Sequence, residues 1–511
     1  MTPGDASIPI LGAPTSNCLL KLAKRECSKY GLTMSELHAF PRLTIAGTAG
    51  SSGKTIVSMG LLRLLRSAGI EVRAFKKGPD YIDASWLAWA SSRTARNLDT
   101  YLMGPERVLE SFTRHAVSDG INLIEGNRGL FDGFDAAGTH STAALARCLS
   151  APVILVVNAS KVTRTAAAFV LGCQKLDPEI AIRGVVLNNI SGERHRDVLR
   201  SAIESVCSIP VVGTLPHLKT GLLSERHLGL VPPQEHSATE KLDQDLLKLV
   251  DGRLDVDALL AVARHAPPLQ SAPVASDPEP IAGEVNIGYL KDAVFTFYYP
   301  ENLEHLEKAG ARLIPVSALD AAALPDDLQA LYIGGGFPET HPQALSGNSS
   351  FLRSLRQAAL QGLPIYAECG GLILLAKSFS WRGDRYPMAG VFPIEVEFCE
   401  SLQGHGYTEL RVDGPNPFFP VGLRLRGHEF HYSRILCGGE AVATACAVDR
   451  GTGCFNKRDF LVTNNVMATY THLHALASPE WGAGIVNAAR SFASRVVART
   501  GACGGEIAHA E

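Results

Sequence analysis

The sequence predicts an α/β protein built from two doubly wound domains, and three observations predict it. Short, continuous apolar runs alternate with helical segments from Arg42 onward, the pattern of parallel strands covered on both faces. A stretch holding Pro267, Pro268, Pro273, Pro278 and Pro280 separates two such series and reads as a semi-rigid linker. Each series also carries its own strand, glycine turn and helix, near residues 43–67 and residues 362–375. The 511-residue length agrees with two or three domains. The expected division is an N-terminal extension over residues 1–40, a first domain over 41–264, a linker over 265–284, a second domain over 285–495 and a frayed tail over 496–511.

In chain order, residues 1–40 are punctuated by Pro3, Gly4, Pro9 and Pro14, with a short helix expected over residues 16–30. Residues 43–46 read as a strand, 47–53 as a turn of small residues and 54–67 as a helix apolar nearly all round. Further strands are expected at 72–75, 121–124, 153–157, 185–187 and 210–212. Beyond the linker, 285–290 is a strand and 301–308 a helix stopped by Gly310. The strand at 330–333 runs into Gly334-Gly335-Gly336. The last 16 residues are rich in Gly and Ala, which predicts fraying.

Composition narrows the function classes. Hydrophobic residues make up 46% and charged residues 19%, enough for a sizeable core. The net charge of −3 gives no basic field, so nucleic acid is not an expected partner. The 11 cysteines are scattered without a C-x-x-C pair, which fits a reducing, cytoplasmic setting better than a zinc ribbon or disulfide framework. No run of about 20 apolar residues is present, so no membrane-spanning helix is expected. The start lacks the basic and apolar regions of a signal peptide.

The first chemical motif is Gly47-Thr48-Ala49-Gly50-Ser51-Ser52-Gly53-Lys54-Thr55, between a strand and a helix. Gly47, Gly50, Ser52 and Gly53 would let successive N–H groups wrap the phosphates of ATP at a helix N-terminus. Lys54 would reach the outer phosphates and the Thr55 hydroxyl would ligate Mg²⁺. The first glycine stands one residue earlier than the strict G-x-x-x-x-G-K-T spacing requires. The loops F-K-K-G-P-D-Y-I-D and E-G-N-R-G-L-F-D-G follow later strands, and ligands bind at the carboxyl ends of parallel strands. Lys76, Asp80, Asp83 and Glu125 are therefore expected to converge there, with carboxylates holding Mg²⁺ and lysine offsetting phosphoryl charge. Each of these taken singly is as well explained by an ordinary solvated loop charge.

The second motif is Y-A-E-C-G-G-L, where Cys369 sits between an apolar strand and an apolar helix. That turn lifts a nucleophile out of the backbone. A buried cysteine beside a Gly-Gly turn is the plainer alternative. A base would come from G-H-E-F-H-Y-S or from Y-T-H-L-H, where a strand would put His472 and His474 on one face. An imidazole there would favour the thiolate. Gly335, Gly336 and Gly370 could present N–H groups to an oxyanion. The same histidines, His428 and His431 included, could instead serve as zinc ligands or as hydrogen-bonded core residues.

These motifs, with D-A-V-F-T-F-Y-Y-P-E-N-L and L-Y-I-G-G-G-F-P-E, resemble those of the cobyrinic acid a,c-diamide synthases over residues 42–490. The resemblance implies a dethiobiotin-synthetase-like P-loop amidoligase domain followed by a class I glutamine amidotransferase domain. It implies that glutamine forms a thioester with Cys369, with His472 as the base, and that ammonia is released. ATP and Mg²⁺, the metal on Thr55, Asp80 and Glu125, would activate the a and c acetate carboxylates of a tetrapyrrole for amidation. Lys76 would contact ATP, while Tyr81 and Asp83 would contact the tetrapyrrole. Relatives of this kind act on cobyrinic acid, hydrogenobyrinic acid, nickel sirohydrochlorin or sirohaem, and the residues leave the macrocycle open. They also leave room for a homodimer. Glu480 is the candidate third member of the glutaminase triad. A ParA-like nucleotide switch with an idle second domain is the reading from another class.

Overall fold

The computed structural model describes residues 37–218, 225–226, 229–235, 239–270, 284–438 and 441–504. The helix expected over residues 16–30, most of the linker and the last seven residues of the tail lie outside the described residues.

The first sheet has seven parallel strands: β1 (Arg42–Gly47), β2 (Val72–Lys77), β3 (Arg96–Leu98), β4 (Ile121–Gly129), β5 (Val153–Asn158), β6 (Ile182–Ile190) and β7 (Val211–Pro216). Their order is β3-β2-β4-β1-β5-β6-β7. Every residue of β1 is buried, as the unbroken apolar run requires of a central strand. Because β1 lies between β4 and β5, the loop leaving it opens at the carboxyl edge of the sheet. Helix α1 (Lys54–Ser67) buries Val57, Leu61, Leu62 and Leu65. It packs beside α2 (Tyr81–Ser91), which contributes Trp86 and Leu87 to the same core. The Trp86 indole N–H donates to the Val231 carbonyl at 3.0 Å, so its polar edge is satisfied inside the core.

The second sheet has ten strands. These are β8 (Val285–Leu290), β10 (Ala311–Val316), β11 (Ala330–Ile333), β13 (Ile365–Glu368), β14 (Gly404–Val412), β15 (Arg424–His431), β16 (Ala443–Arg450), β17 (Arg458–Thr463), β18 (Val466–Thr469) and β19 (His472–Leu473). The order is β10-β8-β11-β13-β18-β17-β16-β14-β15-β19. The half from β10 to β18 is parallel and the rest antiparallel. Outside it, the short strand β9 (Phe295–Phe297) pairs with β12 (Gly335–Gly336), and helix α3 (Pro300–Lys308) follows β9. Between β18 and β19 lie only Tyr470 and Thr471, although these strands stand far apart in the sheet order, so the antiparallel half curls back toward β13.

The domains meet through polar and aromatic contacts. Arg96 pairs with Glu301 at 3.3 Å and Glu304 at 2.5 Å. The Tyr407 hydroxyl donates to Asp99 at 2.6 Å, and Tyr101 donates to Glu409 at 2.7 Å while stacking on Tyr407.

Three boundaries differ from those expected. Leu37–His38 pairs with Leu269–Gln270, and Phe40 and Leu269 are buried in the same cluster, so the ends of the extension and the linker pack onto the first domain. Arg42 secures this junction, its buried guanidinium donating to the carbonyls of Phe40, Leu149, Ser150 and Pro267. The last helix, α5 (Glu480–Gly504), continues past residue 495, because Ala-rich sequence sustains a helix that a packed first half has already nucleated. Trp86→Ala should destabilise the first domain by about 3–5 kcal/mol, read as a lowered urea midpoint.

Candidate active sites

The loop after β1 is shaped by glycine at two positions where nothing else fits. Gly53 has φ 97°, and a methyl group there would stand 2.2 Å from the Asn188 amide, which donates to the Ser52 carbonyl at 3.0 Å. A methyl group on Gly47 would stand 2.3 Å from the Ser52 hydroxyl. Gly50 faces open space, so packing does not require a glycine there. Lys54 is buried, and its ammonium folds across the loop to the carbonyls of Arg128 (2.8 Å) and Ala49 (3.3 Å). Burial first, then the charge of Lys76, lowers its pKa.

Lys76, Asp80, Asp83 and Glu125 do converge. Lys76 Nζ lies 2.6 Å from Asp83, 2.8 Å from Glu125 and 3.9 Å from Asp80. Burial opposes its charge, but Asp83, Glu125 and Asp80 outweigh burial and hold the pKa above its ordinary value. Asp80 caps α2 by accepting from the Asp83 N–H at 2.9 Å. Burial and the neighbouring Asp83 push its carboxyl up to about 7. Thr55 donates to Glu125 Oε1 at 2.9 Å, leaving Glu125 Oε2 buried without a hydrogen-bond partner. A hard divalent cation takes such oxygens, so Thr55, Glu125 and Asp80 fit Mg²⁺. Lys76 and Asp83, expected at ATP and at the tetrapyrrole, are paired with each other here, as a buried ammonium requires carboxylate partners.

In the second domain, Cys369 follows β13 and caps α4 (Gly370–Leu375) with φ 47° and ψ −97°. This conformation is strained for a residue with a side chain. The Cys369 N–H donates to Thr469 at 2.7 Å, which anchors the turn to β18. The thiol is buried and pushed up to about 12, by burial first and then by Glu339 and other carboxylates, so it rests protonated. Of the three expected oxyanion glycines, Gly370 stands against Gly336, and Gly335 stands against His472. A methyl group on Gly370 would stand 3.0 Å from the Gly336 nitrogen, and one on Gly335 would stand 2.5 Å from His472 Cε1.

The histidines separate by environment. His472 Nδ1 lies 3.1 Å from Glu368 Oε2, and its ring stacks on His428. His474 is buried against Tyr299 and lies 3.7 Å from Glu301; burial takes its pKa to about 3, so it is neutral. His431 stacks on Tyr470 and bonds the Ser433 carbonyl, a core role. Glu480 is exposed in the first turn of α5, whereas the acid at His472 is Glu368, a residue inside the Y-A-E-C-G-G-L motif that sequence reasoning passed over.

Tyr81 links the two sites. It directly follows Asp80, yet its ring stacks on Phe297 at 5.0 Å and lies 4.5 Å from Tyr299 and 5.4 Å from His472. A cavity of about 440 Å³ opens between the domains, with Asp80, Tyr81, Arg128, His405, Arg450 and His472 in its walls.

A P-loop domain facing a cysteine-dependent domain across one cavity defines a two-site ligase of the glutamine amidotransferase class. Residues 43–228 match the CobQ/CobB/MinD/ParA nucleotide binding domain, and residues 286–480 match the CobB/CobQ-like glutamine amidotransferase domain. A Magnetococcus marinus protein named cobyrinate a,c-diamide synthase is 42% identical over 449 residues, covering 87% of this chain and 96% of that protein. Proteins of the same name from Archaeoglobus fulgidus (38% identical, covering 86% of this chain and 95% of that protein) and Dehalococcoides mccartyi (39%, 89% and 99%) match as well. The chain belongs to the cobyrinate a,c-diamide synthase family of glutamine-hydrolysing ligases.

Alkylation of Cys369 by iodoacetamide in the absence of glutamine should still be accelerating above about pH 9, where an ordinary exposed thiol begins to level off, because burial raises this thiol's pKa. Gly335→Ala should lower glutamate release about 100-fold by displacing His472, with circular dichroism unchanged.

Proposed function

We propose that this chain amidates the a and c acetate carboxylates of cobyrinic acid, using ATP and glutamine-derived ammonia. The observation that carries this reading is the shared cavity, which has the phosphate-site carboxylate Asp80 and the imidazole of His472 in one wall system. Lys77, Arg128 and Arg450 in the lining suit a polycarboxylate, and Phe134, Tyr407 and Phe430 suit the apolar edge of a macrocycle.

In the second domain, the Cys369 sulfur attacks the glutamine amide carbon after His472 accepts the thiol proton. The C–N bond breaks, ammonia leaves with that proton, and water hydrolyses the thioester to glutamate. The Gly335, Gly336 and Gly370 region receives the oxyanion. In the first domain, ATP lies on Gly47, Gly50, Ser52 and Gly53, with Lys54 on its outer phosphates. Mg²⁺ held by Thr55, Glu125 and Asp80 would neutralise phosphate charge there. Lys76 acts from beneath, fixing Glu125 and Asp83. A substrate carboxylate attacks the γ-phosphorus and ADP departs, leaving an acyl phosphate. Ammonia attacks its carbonyl carbon and expels phosphate. The proton lost from nitrogen leaves with the released phosphate. Tyr81, whose ring lies 5.4 Å from His472 and in the cavity wall, is the side chain this reading assigns to the ammonia crossing as well as to the substrate space.

Incubation of candidate tetrapyrroles with ATP and glutamine should give a product lighter by about one mass unit per amide formed, two in all for cobyrinic acid, because OH is replaced by NH₂. A product from sirohaem or hydrogenobyrinic acid alone would reassign the macrocycle. Lys54→Ala should cut ATP-dependent amide formation at least ~100-fold. Tyr81→Ala should keep glutamate release but yield less amide per glutamine consumed; an unchanged ratio would remove Tyr81 from the ammonia path.

A further inference from the structure

We infer that Glu368, the residue immediately before the nucleophile, is the acid that positions His472 for glutamine hydrolysis. The inference rests on the glutaminase reading of Cys369 and adds a residue to it. Two carboxylates are candidates by sequence proximity. Glu480, the first acid after His472 in the chain, is exposed at the start of a helix. Glu368 is fully buried and its Oε2 lies 3.1 Å from His472 Nδ1.

The remaining bonds fix the carboxylate in place. Tyr366 donates to Oε1 at 3.0 Å, the Leu473 N–H to Oε1 at 3.3 Å and Tyr332 to Oε2 at 3.4 Å. Both tyrosines are buried against Trp481, so the acid is braced from below. Pairing of β13 with β18 sets Glu368 opposite Thr469, and the chain then brings His472 back over it. A carboxylate only accepts hydrogen bonds, so the imidazole must carry its proton on Nδ1. Nε2 is then the free lone pair, on the edge of the ring that faces Gly335. That is the tautomer needed to take the Cys369 proton and hand it to the departing ammonia. The alternation of the strand sends Glu368 to His472 and places Cys369 at the turn, so one short segment supplies both nucleophile and orienting acid.

Charge and orientation make opposite predictions, which provides the test. The negative charge of Glu368 disfavours the Cys369 thiolate. If Glu368 acted on Cys369 by charge alone, its neutralisation would speed alkylation. If it orients His472, Glu368→Gln presents an amide that can donate to Nδ1, selects the wrong tautomer and slows alkylation. Glutamate release, iodoacetamide alkylation and amide formation from added ammonium chloride with ATP would be measured for the wild type, Glu368→Gln and Glu368→Asp. The expected result for Glu368→Gln is a fall in kcat for glutamate release of roughly 100-fold or more with KM for glutamine nearly constant. Alkylation should slow, ammonium-driven amide formation should persist, and Glu368→Asp should be intermediate. Glutamate release within about threefold of wild type, or faster alkylation, would overturn the inference. Loss of ammonium-driven turnover in both variants would also overturn it, assigning Glu368 to folding. Failure of the wild type to use ammonium would count instead against the amidation reading and leave the glutamate-release comparison intact.

Discussion

The buried ammonium of Lys76 is the constraint on which both sites depend. An uncompensated charge at that depth would be prohibitive, and the strands bring Glu125, Asp83 and Asp80 within reach of it. Their gathering has two consequences. It leaves one Glu125 oxygen unsatisfied at the mouth of the phosphate loop. It also fixes the first turn of α2, where Asp80 caps the helix and the next residue, Tyr81, projects into the other domain. The electrostatics of one domain thus determine what touches His472 in the other.

The second site is built on restraint. Cys369 is held in a conformation that side chains avoid, in surroundings that keep its thiol protonated. Activation therefore requires an imidazole that is already oriented, and the acid for that purpose is inside the same strand. The neighbouring histidines do other work: His474 is a neutral core residue beside Glu301, and His428 lines the cavity and stacks on His472.

Much of this was legible in the sequence because the informative signals were local. The loop from Gly47 to Thr55 declared itself through glycines whose backbone geometry no other residue allows at Gly53. The elbow at Cys369 likewise lies on adjacent residues. What escaped depended on contacts between distant segments. The pairing of Leu37–His38 with Leu269–Gln270 links stretches that composition assigned to an extension and a linker. The partnership of Glu368 with His472 spans the curled sheet and depends on the pairing of β13 with β18, which the local motif does not reveal. The aromatic seat of Tyr81 joins two domains, and the sequence offers that residue only as a contact to the tetrapyrrole.

The cavity between the domains carries a geometric consequence. Among the described residues, Asp80 from beside the phosphate loop and His472 from the second site stand in the walls of one cavity. For a macrocycle modified at two side chains, the workbench stays fixed and the workpiece must turn. The rim that recognises the first presentation must also accept a product with one less negative charge in a rotated pose. Broad aromatic faces and long arginines, which tolerate such reorientation, are what the lining supplies at Phe134, Tyr407, Arg128 and Arg450.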